Sequence, residues 1–498
     1  MILRAVILVV IFSVGSVTAA QLSIHSMVVG KKALELSESR QITYGPELVL
    51  AAAISPDGKR VAYISEKENT ISFCIARTNG TSATAVISSA YYYNSADRPA
   101  EGETWNFNTQ IPWSSQIAWS PDSKHIAIPA TKNTWNPTSN TEQSCILILA
   151  YNGAYESTLM PPQSYSKIDS PSFSPNSNKL VTAVSGGQQE QPEIAVVVYD
   201  VSSKSGQVVY SQPYALVEFD KWDSDEQSMR AFVFDNNGYH YSRIPLNGQP
   251  SEIISERHKI NTISPNDKLQ ILSKKPGIVV ENISTGDATT VVTGNDLSFI
   301  SWIPDNRTLL CHRKEKIYDK PNNRTRPLDT LWLVNVEATK MNTMCVALDY
   351  DGKTPTWSTD CTRMAYTCNE RLYIAELNRR ELTTKEKIAA GIATEEEEKA
   401  LLLAGAKMLG IGFQLYTNNR DGAYPDEAKV IEALTSILPN GDLFYKPGTD
   451  QLIFKYIAPG VKESEIYDFS NTVIGELDLG RSWKVVIYTD AHARVVYK

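Results

Sequence analysis

The sequence predicts a mainly β chain of repeated units, followed by a small α+β domain. Three observations carry this. A turn phrase, Ser55-Pro56-Asp57-Gly58, stands between two apolar runs, 51–54 and 61–64. It returns in altered form as Trp119-Ser120-Pro121-Asp122, Phe173-Ser174-Pro175-Asn176, Ser264-Pro265-Asn266-Asp267, Trp302-Ile303-Pro304-Asp305 and Trp357-Ser358-Thr359-Asp360, with a weaker copy at Trp222-Asp223-Ser224-Asp225. Each copy is flanked by β-rich or alternating runs, as in 59–64 and 124–128. Near residue 380 the grammar changes to a helical period and then to short strands.

Each phrase reads as one hairpin. Proline presets φ at the second position of a type I turn, Asp or Asn suits the third, and Gly closes it. A third apolar stretch follows in most copies, at 71–75, 145–149, 194–199 and 331–336, with polar turns such as Asn79-Gly80 and Asn152-Gly153 after it. Three or four short strands per unit fit a propeller blade. The anchors lie 39 to 65 residues apart. The shortest gaps match a bare blade of about 40 residues, and the longer ones imply insertions. Seven anchors are present, one of them poor, so the count is six or seven blades.

The turn with its preceding Trp, following basic residue and apolar strand resembles the TolB-type, WD-repeat-like propeller family over about 40–380. The resemblance implies a six- or seven-bladed propeller, a fold commonly used as a binding platform and sometimes appended to peptidases. Ring closure is open: Gln41-Ile42-Thr43 resembles the end of an outer strand, and Arg380-Glu381-Leu382-Thr383 fits the same place.

The N-terminus points to export. Arg4 precedes an apolar run at 5–12, and small residues at 17–20 precede Gln21. These are the parts of a secretory signal peptide, expected at residues 1–20. Its apolar core is shorter than the roughly 20 residues that span a bilayer, so the mature chain is expected to lack a transmembrane segment and to be periplasmic or extracellular. The formal charge of −8 gives no basic surface for nucleic acid. The six cysteines form no Cys-x-x-Cys motif and read mostly as buried free thiols. No metal site and no cofactor are expected.

The tail is expected as a linker at 383–393 and a domain at 394–498, leaving 21–382 to the propeller. Thr394-Glu395-Glu396-Glu397 matches a capping box. Leu401, Ala404, Met408, Ile411 and Leu415 then follow at helical spacing and predict one buried stripe. A second short helix is expected at 427–438, and strands at 452–457, 473–477, 484–488 and 494–497. Residues 407–416, the turn Asn419-Arg420-Asp421-Gly422-Ala423-Tyr424-Pro425 and the closing hairpin 485–493 resemble the globular head of bacterial prepilin-like proteins. That resemblance implies one long helix against an antiparallel sheet. Gly480 and Ala491 depart from the family's His and Gly.

Catalytic motifs are weak. Asn282-Ile283-Ser284-Thr285-Gly286 has Asn where a nucleophile elbow needs Gly. The pairs Asp349/Asp351 and Asp223/Asp225, and the dyad His492 with Asp490, read as turn residues. The aromatic stretch 91–113 supplies the candidate contact residues Tyr92, Trp105 and Trp113, since rigid aromatics anchor protein or sugar ligands. The expectation is an exported, non-enzymatic binding or scaffold protein whose partner is a protein or a cell-surface glycan. The alternative is an envelope enzyme acting on glycan or peptide through a site on the propeller face.

Overall fold

The computed structural model describes residues 26–29, 32–68, 70–89, 102–107, 117–136, 138–188, 191–213, 216–235, 238–255, 262–272, 277–292, 297–319, 324–337, 343–348, 350–438, 441–447, 449, 451–457 and 462–498. The expected signal peptide lies outside them. The chain divides into two compact units. The larger is Leu36–Val336 with Cys345–Asn378; the smaller joins Arg379–Lys498 to the described residues of Met1–Glu35 and Glu337–Met344.

The repeat region is a β-propeller-type fold. Among the described residues it carries seven sheets, each holding one turn phrase. The first sheet runs Leu48–Ile54, Arg60–Lys67, Thr70–Arg77, Thr84–Ser89 in order. The fourth runs Leu216–Trp222, Ser228–Asp235, Gly238–Pro245, Glu252–Ser255. In the seventh, Thr356–Trp357, Arg363–Cys368 and Arg371–Glu381 are followed outward by Lys32–Gln41. The strand Lys32–Gln41 therefore takes the fourth place in this sheet, with Ser26–Val29 paired beyond it. Ser37 Oγ donates to Glu376 O at 3.0 Å and Ile42 N to Leu372 O at 2.8 Å.

Repetition extends to single atoms. The closing residue of each turn is left-handed: Gly58, Ser123, Ser177, Glu226, Asp267, Asn306 and Cys361 have φ between 55° and 67°. Only the first is glycine, so six side chains accept a conformation that L-residues resist. In most copies the buried turn serine holds the geometry: Ser55 Oγ donates to Asp57 Oδ1 at 2.6 Å and accepts from Arg60 N at 3.0 Å. Neighbouring turns are tied together, with Asp57 N donating to Ser123 Oγ at 3.0 Å and Asn176 N to Glu226 Oε1 at 2.8 Å.

A tryptophan precedes four of the seven turns, and three of these four rings make a second tie. Trp119 Nε1 donates to Ala53 O at 2.9 Å, Trp222 Nε1 to Ser172 Oγ at 3.2 Å and Trp302 Nε1 to Thr262 O at 3.0 Å. Each acceptor stands three residues before the turn proline of the preceding sheet. These rings thus face between sheets. Trp357 has no such acceptor, and its Nε1 is buried without a partner.

In the smaller unit, the segment read as a linker carries helix α1, Thr384–Ala390, capped by Thr383 and Glu386. Helix α2, Glu395–Asn418, starts at the expected capping box of Thr394 and Glu397. Helix α3, Val430–Thr435, follows a 3-10 turn, and Phe454–Tyr456, Val473–Leu477, Trp483–Tyr488 and Ala493–Tyr497 form one meandering sheet.

The expected buried stripe of α2 is corrected. Leu402, Ala406, Leu409 and Phe413 enter the core, whereas Met408, Ile411 and Leu415 are exposed. The sequence offers two apolar faces, and close approach selects between them. A Cβ on Gly410 would lie 2.7 Å from Ala491 Cα, and one on Gly412 3.0 Å from Leu438. The glycine face lets the hairpin turn and the α3 end come near.

Candidate functional site

The first strands of neighbouring sheets contact one another: Thr356–Trp357 meets Leu48–Ile54, which meets Ala118–Trp119, which in turn meets Tyr165–Phe173, and that strand meets Leu216–Trp222. Each is also an edge strand of its own sheet, Ala118–Trp119 pairing only with His125–Asn136. These strands therefore form the inner edge of the repeat.

In the fourth sheet this inner strand carries two acids where that of the first sheet is apolar. It reads Leu216-Val217-Glu218-Phe219-Asp220-Lys221-Trp222, where the first sheet has Leu48-Val49-Leu50-Ala51-Ala52-Ala53-Ile54. The ladder slips between Phe219 and Lys221, so Asp220 is the extra residue of a bulge, a device that re-aims a side chain.

Glu218 and Asp220 are both half-buried. Burial, then the nearby Asp220 charge, pushes the Glu218 carboxyl above the usual carboxylate range. Burial also raises Asp220, against the lowering effect of the Tyr241 hydroxyl, which donates to Asp220 Oδ2 at 2.6 Å. Tyr241 is itself buried, with its ring 4.7 Å from Phe232. Both acids thus hold protons more tightly than exposed carboxylates do.

Cations border the pair. Arg230 Nε lies 2.5 Å from Asp223 Oδ1, and its Nη1 lies 2.9 Å from Asp267 Oδ2. Arg243 Nε reaches Asp223 Oδ2 at 2.8 Å, and Lys221 Nζ bonds Asp267. Burial works against the Asp223 anion, but hydrogen bonds from Ser228 and Arg230 outweigh it and keep its carboxyl below the usual range. One cluster therefore holds one carboxyl kept below the usual carboxylate range and two raised above it.

The expected contact residues are placed unevenly. Tyr92 and Trp113 lie outside the described residues. Trp105 lies in the strand Gly102–Phe107, opposite Lys132, whose Nζ is 5.5 Å from its ring centroid. Its ring is half-buried against the core of the first two sheets.

Asp223 belongs to the arginine cluster, and Asp225 Oδ1 only accepts from Gln227 N at 3.0 Å. Asp351 accepts from Glu370 N at 3.2 Å, and Asp349 lies outside the described residues. His492 Nδ1 sits 2.5 Å from Asp490 Oδ1, with its ring stacked on Tyr488 at 4.1 Å.

A second arrangement looks catalytic by residue type. His240 Nδ1 is 2.7 Å from Ser242 Oγ, and its Nε2 is 3.2 Å from Asp235 Oδ1. Ser242 is fully buried, so no substrate reaches its hydroxyl, and the trio is structural.

Sequence reasoning missed Glu218 and Asp220. Their signal was present: acids at inner-strand positions that the first copy fills with Leu50 and Ala52.

No family model matches the chain, and no curated protein matches it. Solved structures do. Oligogalacturonate lyase from Vibrio parahaemolyticus is 11% identical, with 70% of this chain and 98% of that chain covered and a TM-score of 0.44. TolB from Acinetobacter baumannii is 13% identical, covering 66% of each chain, at 0.32. The β-propeller domain of the Trilobed protease from Pyrococcus furiosus is 12% identical, covering 54% of this chain and 85% of that one, at 0.36. The neighbours are thus TolB and other β-propeller proteins, and the likeness is one of fold.

The expectation of a non-enzymatic scaffold is corrected here. Chains described as oligogalacturonate lyase are enzymes, so a propeller of this kind is no ground for excluding catalysis. The fourth inner strand also carries the converging acids that the sequence reading did not find.

Proposed function

We propose that the chain is an exported enzyme that cleaves glycosidic bonds in cell-envelope glycan, with Glu218 and Asp220 as its acid–base pair. The observation that carries this is the pair itself: two neighbouring carboxyls on the inner edge, both raised above the usual carboxylate range. Glycoside cleavage needs one carboxyl that keeps its proton for the leaving oxygen and a second that acts as base or nucleophile. Glu218, buried with no donor among the described residues to support its anion, is the acid. Asp220, whose anion the Tyr241 hydroxyl supports, is the base or nucleophile. In the same reading, the seven sheets are the blades of one ring closed by the N-terminal strand, residues 1–20 are removed on export, and the tail is a pilin-head-like module.

The test is release of reducing ends from envelope polysaccharides by the mature chain. Asp220→Asn and Glu218→Gln should each lower the rate by about 10²–10⁴-fold, the usual contribution of a general acid or base. The wild-type rate should fall as pH rises through the raised carboxyl range, because the acid must keep its proton. Folded variants that work at the wild-type rate would refute the assignment, as would a mature chain that cleaves none of the glycans.

A further inference from the structure

A recess of about 400 Å³ in the larger unit is lined by Lys59, Arg60, Arg77, Thr78, Asn79 and Arg363. It brings four cations together in a chain whose formal charge is −8. Two are already matched: Lys59 Nζ is 3.6 Å from Asp57 Oδ2, and Arg363 Nε is 3.1 Å from Glu376 Oε1. The other two are not. Arg60 and Arg77 are direct partners across the strand pair Arg60–Lys67 and Thr70–Arg77. Among the described residues neither has a carboxylate partner, and the Arg60 guanidinium lies 4.3 Å from the Tyr151 ring centroid. Like charges facing each other across antiparallel strands destabilise the pair.

We propose that Arg60 and Arg77 form a binding site for a doubly charged phosphoryl group, either free phosphate or a sugar phosphate. The charges decide the class. Two unmatched guanidinium groups leave +2, which a phosphoryl group of about −1.5 to −2 neutralises and a single carboxylate does not. The chemistry agrees, because guanidinium forks suit the oxygens of phosphate. Arg363 closes the recess from the seventh sheet, held there by its Nη1 bond to Gly58 O at 3.2 Å. The Thr78 hydroxyl is committed to Gly58 O at 2.9 Å, which fixes the floor. This site does not depend on the acid–base reading above.

The test is calorimetric titration of the mature chain with inorganic phosphate, glucose 1-phosphate and acetate, beside thermal midpoints in phosphate-free buffer. Both phosphates should bind at least tenfold more tightly than acetate. Equal binding of the two makes the phosphoryl group the whole ligand, and tighter binding of glucose 1-phosphate makes it a sugar phosphate. Arg77→Gln should weaken phosphate at least tenfold. It should also raise the midpoint in phosphate-free buffer and remove the protection that phosphate gives. Arg77 is exposed, so this change does not open the core. Acetate binding as tightly as phosphate would overturn the proposal. So would R77Q that binds phosphate like the wild type, or that keeps its protection by phosphate.

Discussion

Replacing Trp302 tests the repeat at its most specific joint. The ring is buried, and its Nε1 donates to Thr262 O of the preceding sheet at 3.0 Å. Trp302→Ala removes the packing and leaves a cavity, a loss of about 3–5 kcal/mol for a large buried aromatic. Trp302→Phe keeps most of the apolar ring and deletes the donor. Its cost should be about 1 kcal/mol, the net value of one hydrogen bond, because Thr262 O still accepts from Ile271 N at 2.9 Å. Trp357 supplies the control, because its buried Nε1 has no partner. Trp357→Phe should therefore cost less than Trp302→Phe, or stabilise by roughly 1 kcal/mol. The assay is urea unfolding of the protein followed by far-UV circular dichroism. A Trp302→Ala loss below about 1 kcal/mol would refute the joint, as would equal costs for the two phenylalanine variants.

Three further outcomes follow from single contacts. Arg380 grips Glu386 through Nη1 at 2.7 Å and Nη2 at 2.6 Å, and this, against the raising effect of burial, lowers the Glu386 carboxyl to about 2. The depressed group stabilises above its ordinary range and loses that contribution as pH falls toward 2. The thermal midpoint of E386Q should thus lie below wild type at pH 7 and converge with it near pH 2; a constant gap would refute the link. Gly410→Ala should destabilise the smaller unit in thermal unfolding, because the contact with Ala491 outweighs the roughly 1 kcal/mol gain in helix propensity; a stabilised variant would show that the turn gives way. Five of the six free cysteines are buried and Cys368 is intermediate, so a thiol reagent should label Cys368 first in native protein, and rapid labelling of Cys311 would contradict its place in the core.

The repeat was legible because its information is local. Pro56 and Asp57, and their counterparts down to Asp360, dictate turns whatever surrounds them, and the runs beside them alternate with the strand period. The capping box of Thr394 was legible for the same reason, since it closes over four residues, whereas the segment that opens with Thr383 was read as a linker. The strand Val473–Leu477 needed only its own β-rich pattern. The buried face of α2 was not legible. Leu401, Met408, Ile411 and Leu415 fit helical spacing as well as Leu402, Leu409 and Phe413 do, and hydrophobic pattern alone does not choose between faces.

The sequence by itself determined the turns, the repeat and the start of the long helix, because those depend on neighbours in the chain. Tertiary structure decided the rest, because it depends on neighbours in space. The close approach of Ala491 and Leu438 to Gly410 and Gly412 chose the helix face. The strand Lys32–Gln41 took its place beside Arg371–Glu381 in the last sheet through bonds to residues more than 300 positions away. A bulge at Asp220 beside Tyr241 joined two ordinary acids into one site, and the pairing of Arg60 with Arg77 set two unmatched cations face to face. Proton affinity and charge balance belong to such groups only once folding has fixed their surroundings.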